Sequence, residues 1–398
     1  MSVIVTNASG AKALVVTRSL GRKKIEVITT DSERFSAAFF SKYSRSHFLY
    51  PSPVNSPLEF INTLEKEVKS RKIDVLMPIN STETLLISKY KNKFEPYTKV
   101  PLADYSKMVQ LHNKEQLMKI ATEIDLPIPK TYNIKNVNEI RIIAEEIEYP
   151  VVIKPKDATS SKGVQYAYSK DEFVYRYKHF ITENNLNPSS YPLVQEYIPG
   201  DGYGVSVLFN HGELRALFTH RRLREYPITG GPSTLRESVR HPEMEKIAID
   251  LLKYINWHGV AMIEFKLNKR TDRPVLIEVN PRFWGSINQA IASGVDFPFL
   301  LYKMATDGDI KPVLNYKIGV KTRFLMNDLR ALFSHLRHSN NRIQILKEFL
   351  NFDGLCDDII IYEDILPVTF FTYINMKKVL KRNDNICEHV KLILGKNK

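Results

Sequence analysis

Two short, mainly apolar runs, residues 260–267 and 274–279, are separated by a polar turn at 268–272. Side chains on a β-strand repeat with period two, so this pattern predicts a β-hairpin with one strongly apolar face. The opposite face is less uniform, because acidic and amide residues interrupt its apolar positions.

Three of these residues are Glu264, Glu278 and Asn280. An unpaired buried charge is very costly, so carboxylates in apolar strands indicate a compensating cation. Mg²⁺ prefers oxygen ligands and is usually held by one or two carboxylates, with water and phosphate oxygens completing its shell. Arg282 would stand beside the ion as a cationic fork for a phosphate or a carboxylate. The alternative is an edge hairpin whose acids face water.

The first part of the chain alternates between strand and helix patterns. A β-branched run at 2–6, a turn at 7–10, a helical pattern at 11–20 and a second strand at 24–30 predict a parallel sheet with right-handed crossovers. One glycine in the turn does not make a dinucleotide-binding fingerprint. We therefore interpret this turn as a substrate-side loop at the carboxyl edge of the sheet.

A helical pattern over residues 103–125, which carries Lys114, ends at two prolines, so a domain boundary or hinge is expected near residues 110–130. Further along, the pattern predicts a helix over about residues 170–183 and strands at 205–210 and 214–220. An apolar strand then ends in Lys154, although lysine is rarely buried without a partner. The loop after it, residues 157–164, contains small hydroxylated residues and can offer backbone N–H groups to phosphates. Taken alone, Lys114 is better explained as an exposed surface residue than as a phosphate ligand.

Two later segments suggest further contacts with a ligand. The strand at 193–198 can hold a flat ring by its backbone groups, and three arginines between residues 221 and 224 precede the Gly-rich segment 229–233. The simplest interpretation of the arginines is a solvated basic strand, and the alternative is an anion-binding lid.

Residues 310–398 contain strand and helix patterns but no catalytic constellation. We interpret the histidines of this segment as packing or surface residues: His335, His338 and His389. The basic stretch after Asn375 is expected to be a solvated surface, or to meet an anionic partner or a membrane surface.

The composition is that of a globular protein of two to three domains, with 398 residues, 43% hydrophobic and 25% charged. The net charge of +13 favours anionic ligands, and no nucleic-acid-binding module is present in the sequence. The two cysteines lie far apart, and neither a secretory signal nor a membrane-spanning run is evident, so we expect a cytoplasmic protein.

The order of these segments resembles that of the ATP-grasp superfamily. The strings VVIKP, QEYIPG and MIEF…LIEVNPR follow one another at suitable separations, and the resemblance covers about residues 1–308. The chain looks nearest to stand-alone carboxylate–amine ligases related to the large subunit of carbamoyl phosphate synthetase.

The resemblance implies an α/β protein with the α+β ATP-grasp fold. A parallel α/β pre-grasp domain is expected over residues 1–110, an ATP-grasp domain over 111–308 and a C-terminal extension over 309–398. Two α+β subdomains, about 130–196 and 197–308, would sandwich ATP.

The resemblance also implies a role for each polar position. ATP phosphates would be bound by Lys114, Lys154, Ser160, Ser161, Lys162 and Gly163. The nucleoside would be held by Gln195, Glu196, Tyr197, Ile198 and Asp201. Mg²⁺, expected as two ions with Mn²⁺ as an alternative, would be held by Glu264, Glu278 and Asn280. The catalytic cations would be Arg282, which braces the phosphoryl group, and Arg222 and Arg224, which bind the acid or the γ-phosphate.

Two positions depart from the family pattern. Thr159, Ser160 and Ser161 stand where relatives often place glycines, which predicts a stiffer phosphate loop. Gly202 stands where an acidic residue commonly follows the hinge, which leaves Asp201 or Glu196 to contact the ribose.

By this resemblance the protein is expected to be an ADP-forming ligase that joins a small-molecule carboxylate to an amine through an acyl phosphate. The alternatives are an ATP-grasp enzyme with a non-amine acceptor and a nucleotide-binding regulatory protein. Relatives often dimerise, so a homodimer is one of the oligomeric states that the sequence leaves open. No nucleic-acid partner is expected.

Overall fold

The computed structural model describes residues 1–157, 163–227, 230–338, 341–350 and 355–375. The backbone divides into two compact units: unit 1 comprises residues 1–100 and the chain from residue 359 onward, and unit 2 comprises residues 101–358. In the described part of the chain, no helix has the length and apolarity needed to cross a bilayer.

Unit 1 is built on a parallel sheet with strands in the order β3-β2-β1-β4. Its strands are β1 (Ser2–Val5), β2 (Glu26–Asp31), β3 (Ser44–Leu49) and β4 (Val75–Met77). Its helices are α1 (Ala11–Arg22), α2 (Pro57–Arg71), α3 (Ser81–Lys89) and α4 (Lys91–Phe94). The central strand β1 is almost wholly apolar and buried, as expected for a parallel strand covered on both faces. The predicted strand–helix–strand opening is therefore present.

The chain returns to unit 1 after residue 358. Arg18, on α1, donates from Nε to Asp364 Oδ2 at 2.8 Å and from Nη1 to the Ile359 carbonyl at 2.7 Å. Phe370, in a helical segment over residues 366–375, stacks on Phe40 with ring centroids 3.5 Å apart. The structure thus divides the segment 309–398 between the two units.

Unit 2 begins with a small antiparallel sheet in the order β5-β8-β6-β7. Its strands are β5 (Thr131–Asn133), β6 (Val151–Lys154), β7 (Gln165–Ala167) and β8 (Leu193–Glu196). The accompanying helices are α5 (Tyr105–His112), α6 (Lys114–Glu123), α7 (Glu139–Glu146) and α8 (Lys170–Glu183). The helical pattern predicted over 103–125 is two helices, because the Asn113 side chain caps α6 by accepting from the Gln116 N–H. Lys114 is therefore the first residue of a helix.

A larger sheet completes unit 2, in the order β13-β12-β9-β10-β11-β14-β15. Its strands are β9 (Gly200–Asn210), β10 (Glu213–Glu225), β11 (Ser233–Ser238), β12 (Gly259–Asn268), β13 (Arg273–Asn280), β14 (Lys321–Arg323) and β15 (Leu355–Asp357). The helices are α9 (Pro242–Tyr254), α10 (Ile287–Ala292), α11 (Phe297–Asp307), α12 (Leu325–His338) and α13 (Arg342–Leu350). The hairpin predicted from period-two alternation is β12–β13. Strands β9 and β10 are longer than the predicted strands at 205–210 and 214–220.

Candidate functional site

The β12–β13 hairpin brings its two acidic side chains together. Glu264 and Glu278 are directly opposite each other in the register, so they share one face of the sheet. Asn280 lies opposite Met262, two pairs along the hairpin and therefore on the same face. Its Nδ2 donates to Glu264 Oε1 at 3.0 Å and to Glu278 Oε1 at 3.3 Å. The two carboxylates therefore converge on a single amide group.

Cations from other elements surround this acidic pair. Arg222 Nη2 on β10 lies 2.5 Å from Glu264 Oε2, and Lys114 Nζ at the start of α6 lies 3.6 Å from Glu278 Oε2. Burial raises the pKa of the Glu264 carboxyl, although Arg222 opposes that shift. Burial would also raise the pKa of Glu278, but Lys114, Lys154 and the nearby arginines lower it below its usual range. The hairpin site is thus a small, largely desolvated cluster of opposite charges.

Arg282 lies just beyond the hairpin and is 8% exposed. Its Nη2 donates to Asn280 Oδ1 at 2.6 Å, and its Nη1 donates to the Phe283 carbonyl at 2.7 Å. The guanidinium is therefore fixed against the same amide that contacts both carboxylates.

Gly202 explains how Arg222 reaches the acidic pair. A Cβ at residue 202 would lie 2.9 Å from Arg222 Cδ and 2.9 Å from Glu225 Oε1, so a larger residue would displace this arginine. Arg222 also contacts Glu225, with Nη1 and Oε1 3.3 Å apart. Glu264 and Glu225 raise the pKa of Arg222 although burial opposes it. Gly202 departs from the family pattern, and the space that a side chain there would fill is taken by Arg222.

The arginine cluster is only partly solvated: the side chains of Arg222 and Arg224 are 13% and 15% exposed, whereas that of Arg221 is 43% exposed. Each of the three has an acidic partner within unit 2. Arg221 pairs with Asp201 at 2.6 Å, and Arg222 pairs with Glu264. Arg224 makes two bonds to Asp328 on α12, at 3.0 and 2.8 Å. The structure brings Arg222 to the acidic pair and holds Arg224 at α12.

Lys154, the last residue of β6, also faces this cluster. Burial lowers its pKa to about 8, with further lowering from Lys114 and opposition from Glu278. The loop that follows is tied to the start of α6, since the Lys114 N–H donates to the Lys156 carbonyl at 3.0 Å and Asn113 Nδ2 donates to Asp157 Oδ1 at 2.8 Å. These contacts set the position of Lys114 relative to the loop.

Two adjoining cavities lie between the small sheet and the large sheet of unit 2. We call the larger one, of about 340 Å³, the hinge cavity, because it is lined by residues of the hinge segment 196–200. The smaller one, of about 110 Å³, is the carboxylate cavity, because Glu264 and Glu278 line it. Lys154 and Arg222 line both cavities.

The hinge cavity contains most of the residues predicted to hold a nucleoside: Glu196, Tyr197, Ile198 and Asp201. Gln195 does not line it. Gln195 pairs with Val152, which lines the cavity, so the two side chains share one face of the small sheet. The Gln195 side chain is held there by Thr131, whose Oγ1 accepts from its Nε2 at 3.0 Å.

Part of the predicted phosphate loop lies outside the described residues: Ser160, Ser161 and Lys162, together with Thr159. Gly163 is described and has φ +73°, and a Cβ there would lie 3.0 Å from Pro155 Cγ. This backbone conformation and the close approach of Pro155 both favour glycine.

Sequence reasoning missed several residues of the cavities: Tyr166, Glu225, Lys266, Ile277 and His335. Lys266 could have been found, because it follows Glu264 by two positions on the same strand face. Its Nζ donates to the Gly200 carbonyl at 3.0 Å, next to the hinge. His335 was interpreted as a packing or surface residue, and no period or motif links it to this site.

Residues 111–286 match the sequence profile of an ATP-grasp domain. The chain is 25% identical over 245 residues to a D-aspartate ligase of Enterococcus faecium, covering 56% of this chain and 58% of that protein. It is 22% identical over 220 residues to a carbamoyl phosphate synthase large chain of Pyrococcus furiosus, covering 53% of this chain and 20% of that protein. The chain thus spans little more than half of the first relative and a fifth of the second.

The fold is also similar to that of a biotin carboxylase from Campylobacter jejuni solved as a complex with β,γ-ATP. The TM-score is 0.65 at 17% identity, over 80% of this chain and 74% of the carboxylase. Residues 111–286 are therefore an ATP-grasp domain, a class of domain that binds ATP and Mg²⁺. The predicted resemblance to the ATP-grasp superfamily and the predicted fold are confirmed.

Proposed function

We propose that the protein is an ATP-dependent ligase that joins a small carboxylic acid to an amine through an acyl phosphate, with release of ADP and phosphate. One observation supports this most strongly: Glu264 and Glu278 converge on Asn280 and are flanked by Lys114 and Arg222. A protein that only bound a nucleotide would not need this concentration of opposite charges where phosphates would lie.

The donor set fits Mg²⁺. In the described residues, no group of three His, Cys, Asp or Glu side chains gathers that could hold a metal. The proposed site therefore depends on two carboxylates and the Asn280 amide, with phosphate oxygens completing the shell, which is the usual manner of holding Mg²⁺. The Asn280 NH₂ faces the carboxylates here, and a cation would take the amide oxygen instead. Mg²⁺ held by these residues would supply positive charge at the phosphates, and we propose two ions by analogy with the family.

The two cavities suit the two ends of ATP. In our proposal the hinge cavity takes the adenosine, with Glu196, Tyr197 and Ile198 at the adenine and Asp201 near the ribose. The carboxylate cavity takes the phosphates, which Lys114 and Lys154 reach from one side and Arg222 from the other. Lysine and arginine suit this task because their donors carry the charge opposite to that of the phosphates.

The chemistry follows from the poor reactivity of a carboxylate. In the first step a carboxylate oxygen forms a bond to the γ-phosphorus, and the bond from that phosphorus to the ADP oxygen breaks. In the second step the amine nitrogen bonds to the acyl carbon, phosphate departs with the electron pair, and the amine loses a proton. The protein positions the reactants and stabilises charge through Lys154, Arg222 and Arg282. We propose that the loop over residues 157–163, of which 158–162 lie outside the described chain, closes over the phosphates.

The relatives support an amino-acid-like substrate without specifying it, since one of them is a D-aspartate ligase. Arg282 is proposed to bind the acyl phosphate, and Arg222 the acid or the γ-phosphate. The assignment of Arg224 to the same role is weaker, because Asp328 holds its guanidinium. The homodimer, the cytoplasmic location and the partner of the basic tail, whose residues 376–398 lie outside the described chain, stay predictions.

The test is a matrix of acids and amines in which ADP formation and product mass are both measured with Mg²⁺ and ATP. A ligase forms ADP only when acid and amine are both present, and its product mass equals acid plus amine minus water. ADP formed with the acid alone would favour a non-amine acceptor such as water. Tight ATP binding without turnover across the matrix would favour a regulatory protein.

A further inference from the structure

Helix α12 lies outside the ATP-grasp match at residues 111–286, yet it reaches the hinge cavity. His335, on its third turn, lines the cavity together with the hinge residues Glu196 and Tyr197. Arg224 and Glu225, at the end of β10, also line this cavity. The C-terminal part of unit 2 thus contributes His335 to the lining of the cavity.

Helix α12 is anchored at this place by a buried carboxylate. Asp328 is fully buried and accepts from Arg224 Nε at 3.0 Å, from Arg224 Nη2 at 2.8 Å and from Thr234 Oγ1 at 2.7 Å. Two-pronged Arg–carboxylate bonds fix orientation as well as distance. His335 stands seven residues, about two helical turns, after Asp328, so both lie on the same side of α12.

Helix α13 strengthens the anchor. The ring of Phe349, which is 6% exposed, lies 5.3 Å from the Arg224 guanidinium carbon and 5.6 Å from that of Arg323. Arg323 is on β14, which pairs with β11 of the large sheet. The position of His335 is therefore set by contacts to two strands rather than by an exposed loop.

We propose that His335 contacts the adenosine end of the bound nucleotide, so that α12 completes the nucleotide site from outside the ATP-grasp match. The inference rests on the proposed function, because it assumes that the hinge cavity takes adenosine. The adenosine end of the nucleotide is assigned to His335 because the hinge residues line the same cavity as His335. Glu264 and Glu278, which would lie at the phosphates, line the carboxylate cavity instead. An imidazole suits a nucleoside, since its ring face can stack on a base and its nitrogens can donate or accept a hydrogen bond.

The experiment compares two probes by calorimetry, Mg·ADP and Mg·tripolyphosphate, for the full-length wild type and His335→Ala. Loss of one contact should weaken Mg·ADP binding about three- to tenfold. Affinity for tripolyphosphate, which has no adenosine, should stay within about twofold of the wild type. Arg337→Ala is the matched control, because Arg337 is exposed on the same helix and does not line the cavity, and it should bind both probes like the wild type.

His335→Asn, which retains a hydrogen-bonding side chain, is measured in parallel and should lose less ADP affinity than His335→Ala. Equal Mg·ADP affinity in the wild type and both variants would overturn the inference and leave the proposed function standing. Equal loss of ADP and tripolyphosphate affinity would also overturn it, because α12 would then act only through the shape of the site. A wild-type protein that binds no Mg·ADP would remove the proposed function and this inference together.

Discussion

Glu264 and Glu278 face each other across two paired strands, an arrangement that normally destabilises a sheet because like charges repel. Here Arg222, Lys114 and the Asn280 amide compensate for the repulsion. The pair is therefore tolerated because cations from two other elements, β10 and α6, and an amide of β13 itself meet it. A local arrangement that would by itself destabilise the fold is typical of a functional site.

Gly204 shows how closely packed the strand next to this pair is. It lies opposite Glu264 in the register, and a Cβ there would lie 2.4 Å from Cε1 of His220, whose ring is 1% exposed. Gly204→Ala should therefore lower the free energy of unfolding by about 1–3 kcal/mol. Gly285→Ala is the control, because a Cβ there meets nothing within 4 Å. Equal urea midpoints for the two variants would contradict the packing described here.

Lys154 should give nucleotide binding a distinct pH dependence. Because its pKa is lowered to about 8, the ammonium is present at pH 7 and is progressively lost between pH 7 and pH 9. Mg·ADP affinity should therefore fall over that range in the wild type, whereas Lys154→Met should bind weakly with a flatter profile. Titrations of the wild type and of Lys154→Met with Mg·ADP at several pH values measure these two profiles. Parallel profiles would contradict the assignment of Lys154 to the phosphates.

The free energy of unfolding should respond to Lys154 in the opposite direction from Mg·ADP affinity as the pH rises. In the unfolded chain Lys154 has a pKa near 10.4, so between about pH 8 and pH 10.4 the unfolded state binds more protons than the folded state. This lysine therefore makes the folded state relatively more stable as pH rises through that window. The difference in unfolding free energy between the wild type and Lys154→Met should follow this trend.

At the scale of elements, the segment after residue 358 acts as part of unit 1. Arg18 and Asp364 are 3% and 2% exposed, whereas Arg22 and Glu363, close by, are 43% and 48% exposed. Arg18→Met should cost roughly 3 kcal/mol, because it leaves a buried carboxylate without its cation. Arg22→Met should cost at most about 1 kcal/mol, because the exposed pair is screened by solvent. Chemical denaturation measures both, and similar small losses would show that the buried pair does not hold this segment.

The sequence predicted those elements whose pattern is local. Period-two alternation located the β12–β13 hairpin, and helical spacing located α8 at its observed bounds, Lys170–Glu183. The break at Asn113 was missed because apolar spacing continues across it. The ends of β9 and β10 were missed because their polar residues face a charged cavity rather than an apolar core, so alternation fails there.

At the scale of the whole molecule, the site joins residues that are far apart in the chain: Lys114 and Glu278, whose charged groups lie 3.6 Å apart, are separated by 164 positions. No periodicity links them, and only the resemblance to a known family placed them in one site before the structure did. Contacts outside that family pattern could not be foreseen. His335 at the cavity, Asp328 beneath Arg224, and Asp364 at Arg18 all depend on how distant segments pack.

Loss of one carboxylate tests the proposed ligase most directly. Glu278→Gln keeps the shape of the side chain but removes the charge that would hold Mg²⁺, so ADP formation should fall roughly 100-fold or more. Glu213→Gln, an exposed change on β10, is the matched control and should keep wild-type activity. The measurement is the rate of ADP release with Mg²⁺ and a substrate pair that supports turnover, together with a thermal melt to show that the variant is folded. The account predicts a folded, almost inactive Glu278→Gln protein, and a folded variant that releases ADP at nearly the wild-type rate would contradict it.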